Sequence, residues 1–272
     1  MTRVARSYLF VPGDRGERIA KACASGTDAV IVDFEDAVAP ENKLAARNAV
    51  RSLLGAALNA PVPLVLRINA VGTVWFEDDA RLAAHPAVAA IMLPKAEDAA
   101  SIQAARQLGG GKPVIALVET AVGMAQVEVI AATPGVVRLA FGSIDFQLDL
   151  DIEDDDEALQ AFRSRLVLAS RVAGLQAPVD GVTLAIDDPA RIEADARRAR
   201  AFGFGGKLCI HPKQVALTNA AFGPSAEQLV WARRVIDAAA AAQGAAVAVD
   251  GRMVDAPVLA RARRVLSAQA AS

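Results

Sequence analysis

A closed α/β barrel, eight parallel strands each followed by a helix, is the fold this sequence predicts, and three observations predict it. Eight short aliphatic runs alternate with longer alanine-rich, charge-striped segments along most of the chain. Parallel neighbours need a long crossover, so this alternation points to a parallel sheet. Most of the runs are apolar at every position, as strands covered on both faces require. The length, 272 residues, suits one (β/α)8 TIM barrel, which typically takes about 250. An open doubly wound sheet is the alternative, but no Gly-x-Gly-x-x-Gly follows the first run, which counts against its dinucleotide-binding form.

The predicted strands are residues 8–11, 29–32, 64–68, 88–93, 114–118, 136–141, 182–185 and 207–210. The predicted helices are residues 15–25, 40–58, 96–108, 121–132, 157–174 and 189–202, where apolar residues recur at spacings of three and four. Gly109, Gly110 and Gly111 precede a strand and read as a loop that ends a helix. Beyond the eighth run, residues 225–243 read as a helix with Val230, Val235 and Ile236 inward, followed by the polar turn Asp250-Gly251-Arg252 and a last helix from about Pro257. The expected organisation is a barrel over 1–223 and a short C-terminal helical appendage over 224–272 that packs on the barrel or on a neighbouring subunit.

Composition narrows the function. Hydrophobic residues are 54% and charged ones 22%, enough for a sizeable core. The net charge is −2, so no global field favours nucleic acid or an anionic membrane. Cys23 and Cys209 sit in apolar surroundings and read as packed thiols. Pro12-Gly13 interrupts the first apolar stretch, so no signal peptide is expected and a cytoplasmic location is.

In α/β barrels the chemistry gathers where strands end, and here those ends are polar. They carry Asp33-Phe34-Glu35-Asp36, Arg67 and Asn69, Pro94-Lys95, Glu119-Thr120, Gly142-Ser143-Ile144-Asp145, Asp187-Asp188 and His211. Glu119 follows an apolar strand and is costly to bury unpaired. It pairs either with Asp145 as a ligand of Mg2+, which keeps several non-protein ligands, or with Arg67 in a salt bridge. Only two histidines are present, His85 and His211, so a His-rich zinc or iron site is excluded by count. Arg67 can fork onto a substrate carboxylate or make a structural ion pair with Glu35 or Asp36. The Gly142-Ser143-Ile144 turn can offer backbone N–H groups to an anion. The acidic run 149–157 lacks the glycine of an EF-hand and reads as a solvated loop and helix start. Asp187-Asp188-Pro189 reads as an N-cap followed by proline at the first helical position. His211-Pro212 reads as a strand end and helix start, and Trp75 and Phe76 as packing residues.

Taken in order, these motifs resemble the citrate lyase β-subunit-like family within the HpcH/HpaI aldolase superfamily, which includes malyl-CoA and citramalyl-CoA lyases. The resemblance rests on Arg6-Ser-Tyr-Leu-Phe-Val-Pro-Gly-Asp-Arg15, Asp33-Phe-Glu-Asp-Ala-Val38, Leu66-Arg-Ile-Asn69, Leu93-Pro-Lys95, Glu119-Thr120, Phe141-Gly-Ser-Ile-Asp145 and Ile210-His-Pro-Lys-Gln214. It implies a Mg2+-dependent carbon–carbon lyase that cleaves or forms a 3-hydroxyacyl thioester such as citryl-, malyl- or citramalyl-CoA, with an acyl thioester and a 2-oxo acid as the other side of the reaction. Glu119 and Asp145 would hold Mg2+, Arg67 would grip the substrate, and N–H groups around Gly142, Ser143 and Ile144 would bind the oxo-acid carboxylate. Glu35 and Asp36 would hold metal waters or Arg67. Met253-Val-Asp-Ala-Pro257 matches a C-terminal motif whose aspartate reaches a neighbouring subunit's site in relatives, which makes Asp255 the candidate acid/base. The same resemblance implies a homo-oligomer, trimer or hexamer, and a CoA or acyl-carrier-protein thioester. Two other readings compete: a Schiff-base aldolase using Lys95, and a non-catalytic subunit that binds an oxo acid.

Overall fold

The structure is a computed structural model that describes residues 4–56, 60–153, 156–241 and 248–270. Strand and helix alternate from the first residues: β1 (Ser7–Pro12), α1 (Gly16–Cys23), β2 (Ala29–Asp33), a 3-10 turn (Pro40–Asn42) running into α2 (Lys43–Gly55), β3 (Leu64–Arg67), α3 (Phe76–Ala83), β4 (Val88–Leu93) and α4 (Ala99–Leu108). There follow β5 (Val114–Val118), two short helices α5 (Ala121–Ala125) and α6 (Val127–Ala132), β6 (Val136–Phe141), α7 (Ser143–Leu150) and α8 (Gln160–Val172). The barrel ends with β7 (Val179–Asp180), α9 (Pro189–Phe202), β8 (Gly206–Cys209) and α10 (Lys213–Phe222). All eight strands run parallel in sequence order, and β1 pairs with β8, so the predicted (β/α)8 barrel is closed.

Local chemistry explains where the helices begin. Asp98, Thr120 and Asp188 each accept a bond from a backbone N–H of the first helical turn, and Pro189 follows Asp188 with its φ already suited to a helix. Side chains alternate between the interior of the barrel and the helix layer. Inward residues include Tyr8, Ile31, Val65, Met92, Leu117, Ala140, Val179 and Leu208, which pack into one buried cluster. Opposite the strand ends, Arg138 closes the barrel. Its guanidinium is buried and donates to Ala177 O at 2.7 Å, Ala5 O at 2.7 Å and Tyr8 Oη at 3.0 Å. Gly205 leaves room for it, since a Cβ there would stand 2.8 Å from Nη2.

The seventh strand is not where the aliphatic run predicts it. Residues 182–185 are irregular, and the strand is Val179–Asp180, with Val179 paired to Ala140 and to Gly206. Side chains do there what a ladder would otherwise do. Lys207 Nζ donates to Gly181 O, and Gln214 Nε2 donates to Thr183 O and Ala185 O. Two helices carry no predicted counterpart, α3 and α7, and the predicted helix over 121–132 breaks at Gln126. The predicted helix ends at 58 and 243, and positions 154 and 155 of the acidic run, lie outside the described residues. The described acids of the run, Asp149, Asp151, Glu153, Asp156 and Glu157, are exposed as expected, and Asp156 pairs with Arg191 and Arg198.

The chain divides into two compact units, one over Val4–Asn219 and one from Ala220 onward. In the second unit α11 (Ala226–Ala241) and α12 (Ala256–Ala270) share a small core of Ala232, Val235, Val249 and Ala262. A two-residue hairpin joins them, β9 (Ala248–Val249) to β10 (Arg252–Met253). Its turn, Asp250-Gly251, has both φ angles positive, 52° and 73°. Among the described residues no helix is long and apolar enough to cross a membrane.

Candidate active site

At the C-terminal ends of the barrel strands lies a cavity of about 360 Å3. Its polar lining is Asp33, Asp36, Arg67, Glu119, Ser143 and Asp145, and Phe10, Leu117, Val182 and Leu208 form apolar wall. Seven of the nine residues singled out from the sequence therefore meet in one place: Arg67, Asp36, Glu119, Ser143, Asp145 and, in the turn between them, Ile144 with Gly142 alongside. Glu35 joins them through Arg67, its Oε2 standing 2.9 Å from Nη1 as an ion pair that is out of line for a hydrogen bond. Asp255 belongs to the second unit, where it is exposed and its Oδ1 accepts the backbone N–H of Val258 at the start of α12.

Arg67 ends β3 beside Asp33 at the end of β2, and the two are register partners. Asp33 is fully buried and takes the guanidinium edge-on, Nε to Oδ1 at 2.7 Å and Nη2 to Oδ2 at 2.6 Å. Nη1 bonds Asp36 at 3.1 Å, and the Phe10 ring lies 4.9 Å below the guanidinium carbon. Burial works against the Arg67 charge, but Asp33, Glu35 and Asp36 outweigh it and hold the group protonated above its ordinary range. The ion pair with Glu35 or Asp36 read from the sequence is thus present, and the one between Arg67 and Glu119 is not among the described ion pairs.

The loop after β2 is tied down from outside. Lys43 Nζ donates to Phe34 O and Glu35 O, and Asn69 Nδ2 donates to Phe34 O and Asp79 Oδ2. Sequence reasoning assigned no role to Asp33 or Lys43. Asp33 stood in a quoted motif at a strand end, which was the available signal; Lys43 had none beyond its place at a helix start.

Glu119, on the residue after β5, is almost completely buried, and its Oε1 accepts the Lys95 backbone N–H at 2.8 Å. Lys95 turns that N–H inward by adopting a left-handed φ of 46°, a costly conformation for a residue with a side chain. The Lys95 side chain itself is exposed and outside the cavity lining, so nothing there desolvates the amine as a Schiff-base lysine needs. Gly142 permits the approach of β6: a Cβ would lie 2.4 Å from Glu119 Oε2. The Gly142 N–H is spent on Val118 O, which corrects its expected part in anion binding and leaves that to the first turn of α7. Burial, then Glu35, then Asp145, push the Glu119 carboxyl up to about 8. Burial pushes Glu35 to about 7, with Arg67 opposing and Asp36 and Asp33 adding to it, and burial with Asp36 raises Asp145.

Five carboxylates, those of Asp33, Glu35, Asp36, Glu119 and Asp145, thus act on one another against Arg67 and the more distant Lys95. Raised carboxyls and a buried Glu35 oxygen without a hydrogen bond are what a missing positive charge leaves behind. Among the described residues no three His, Cys, Asp or Glu side chains converge as a complete ligand set. The donors fit a hard divalent cation that draws a minority of its ligands from protein, as Mg2+ does.

Strand-end carboxylates and one clamped arginine thus face a common cavity at the mouth of a parallel barrel. The chain belongs to the HpcH/HpaI aldolase/citrate lyase family, which it matches over residues 6–212. It is 39% identical to a citrate lyase subunit beta-like protein of Deinococcus radiodurans, with 97% of each chain covered. It is 35% identical to a (3S)-malyl-CoA thioesterase of Cereibacter sphaeroides, covering 96% of this chain and 93% of that one. Among solved structures it resembles CitE of Mycobacterium tuberculosis in complex with magnesium, acetoacetate and coenzyme A, at a TM-score of 0.87 and 38% identity over 99% of this chain and 100% of the other.

Proposed function

We propose that the protein is a Mg2+-dependent carbon–carbon lyase that cleaves or forms a 3-hydroxyacyl thioester, exchanging it with an acyl thioester and a 2-oxo acid. The observation that carries this reading is the cavity itself, where Glu119 and Asp145 face one space with carboxylates in excess over cations. The CitE relative binds magnesium, acetoacetate and coenzyme A, a cation, an oxo acid and a thiol carrier together.

Glu119 and Asp145 would hold the ion, and bound there it would supply Lewis-acid stabilisation of the oxygen that alternates between alkoxide and carbonyl. Glu35 and Asp36 share Arg67 and would accept bonds from waters around the ion. Arg67 offers Nη1 to the carboxylate or carbonyl oxygen of the oxo acid. The first-turn N–H groups of α7, at Ser143 and Ile144 in the cavity lining, would offer the positive end of that helix to the same anion. In cleavage the hydroxyl gives up its proton to water, from which Asp255 is later reprotonated, the bond between the carbon bearing it and the thioester α-carbon breaks, and its electron pair stays on the α-carbon as an enolate. Asp255 is the proposed donor of the proton that completes the acyl thioester, and the acceptor of that proton in the reverse direction. The working form is proposed to be a homo-oligomer, a trimer or hexamer, in the cytoplasm.

The 35% identity to a malyl-CoA thioesterase supports a second reading, in which the thioester is hydrolysed instead. One assay separates them. A panel of citryl-, malyl- and citramalyl-CoA is incubated with protein and Mg2+, with EDTA controls. Release of acetyl-CoA and a 2-oxo acid is the expected result; free CoA with an intact hydroxy acid supports hydrolysis, and oxo-acid binding with no turnover supports a non-catalytic subunit. Borohydride trapping that ignores EDTA would restore Lys95 as a nucleophile.

A further inference from the structure

Arg67 has five N–H donors, and a guanidinium on a flexible stem can present any of them to a ligand. Here the choice is made by a neighbour. Asp33 is completely buried, yet its two oxygens accept four bonds: Arg67 Nε and the Glu35 N–H at 2.9 Å on Oδ1, Arg67 Nη2 and the Ala37 N–H at 3.1 Å on Oδ2. One carboxylate therefore fixes the rotation of the Arg67 guanidinium and the backbone that carries Glu35 and Asp36. The Phe10 ring beneath the guanidinium removes the remaining tilt. What is left toward the cavity is the Nη1 end, flanked by buried Glu35 at 2.9 Å and by Asp36 at 3.1 Å, whose side chain is largely exposed and is the one of the two that can swing aside for another anion.

We infer that Asp33 is the positioning residue of the oxo-acid site: it selects the Nη1 end of Arg67 as the anion-binding edge and sets Glu35 and Asp36 around it. This rests on the lyase reading above, because that reading supplies the oxo acid. Asp33 itself has no oxygen left for a ligand or metal, so its effect is carried through Arg67 and the following turn. Three residues whose side chains do the binding depend on one whose side chain does none.

The test uses the full-length chain and its Asp33→Asn, Asp33→Glu, Arg67→Lys and Asp33→Asn/Arg67→Lys variants, each checked for folding by circular dichroism. Two quantities are measured: the Mg2+-induced shift in melting temperature, and the dissociation constants of pyruvate and oxaloacetate from Mg2+-loaded protein by calorimetry. Asp33→Asn is expected still to take up Mg2+, since Glu119 and Asp145 are untouched, with a loss of Mg2+ affinity smaller than its loss of oxo-acid affinity because Glu35 and Asp36 would act on the ion only through its waters. Its oxo-acid affinity is expected to fall roughly 10- to 100-fold, the loss typical of a charge-assisted bond. Asp33→Glu keeps the charge but not the geometry, and is expected to recover part of that loss. It also carries the comparison if the asparagine variant does not fold. The double variant should bind no more weakly than Arg67→Lys alone, because both changes disable one device. Oxo-acid binding unchanged in Asp33→Asn, or losses that simply add in the double variant, would overturn the inference. Failure of the parent chain to bind Mg2+ or either oxo acid would instead sink the lyase reading.

Discussion

Glu119 and Asp145 bear the electrostatic cost of the site, and their substitution separates binding of the ion from folding. Glu119→Gln keeps the size of the side chain, keeps an acceptor for the Lys95 N–H, and removes a buried carboxyl that burial and its neighbours keep from ionising. The variant is therefore expected to be at least as stable as the parent in EDTA and to gain nothing from Mg2+. A parent protein at a hundredfold excess over Kd gains about 2.7 kcal/mol, on the order of 5–10 °C for a chain of this size. Asp145→Asn should behave alike, and melting curves with and without Mg2+ check both. The pH dependence follows from the same groups. Glu35 and Glu119 hold protons to about 7 and about 8 against an ordinary value of 4.5. A carboxyl raised in the folded state favours folding fully below its unfolded value, and that contribution is lost as pH rises through the folded one. Metal-free protein should thus lose stability between roughly pH 5 and 8, while a cation that needs ionised ligands gains on the same rise. The difference between melting temperatures in Mg2+ and in EDTA is expected to grow from pH 6 to pH 8; a constant difference would remove these two carboxyls from the ion's surroundings. At this scale the sequence was legible where an acid ends an apolar strand, as at Glu119. It was not legible within Asp33-Phe34-Glu35-Asp36, because which acid meets Arg67 edge-on depends on the register of β2 against β3.

Elements bring these residues together through close backbone approaches, and two glycines mark opposite ends of the barrel. At the rim, Gly142→Ala would put a Cβ 2.4 Å from Glu119 Oε2 and 2.5 Å from its Cβ. Crowding of this kind costs about 1–3 kcal/mol and pushes the carboxylate off its position, so Mg2+ stabilisation and turnover should both fall. At the closed end, Gly205→Ala would meet Arg138 Nη2 at 2.8 Å and the Ala177 Cβ at 3.0 Å. The expected cost is again about 1–3 kcal/mol, but with activity per folded molecule unchanged, because that face carries stability and the rim carries chemistry. Denaturant midpoints set beside initial rates distinguish the two. The strands β4 and β5, continuous apolar runs, and β6, apolar but for Arg138, have the bounds the sequence predicts. The seventh does not, because Lys207 and Gln214 supply from a distance the hydrogen bonds by which residues 181–185 avoid a ladder, and no local pattern shows that. The short α7, only eight residues after Phe141-Gly142, was hidden for a related reason: its first turn is read as a loop when the strand end is known only by its motif.

Across the whole molecule the ion and the oxo acid are assigned to residues of the unit over Val4–Asn219, while the proposed proton donor belongs to the unit from Ala220 onward. This division makes binding and turnover separable. Asp255→Ala removes one helix-capping bond, worth about 1 kcal/mol, from an exposed helix start. Mg2+-dependent binding of an oxo acid should persist in that variant while turnover is lost; parental rates would return Asp255 to a purely structural role. If Asp255 serves a neighbouring subunit, as proposed for a homo-oligomer, two dead variants should complement each other. A Glu119→Gln subunit still carries Asp255, and an Asp255→Ala subunit still carries the ion's ligands. After subunits are exchanged at equal amounts in a cyclic assembly, about a quarter of the sites combine an intact Glu119 from one subunit with an intact Asp255 from the next. Recovery of about that fraction of parental activity, after exchange is verified by mass spectrometry of tagged subunits, is the expected result. Mixed assemblies that remain inactive would mean that each chain completes its own site.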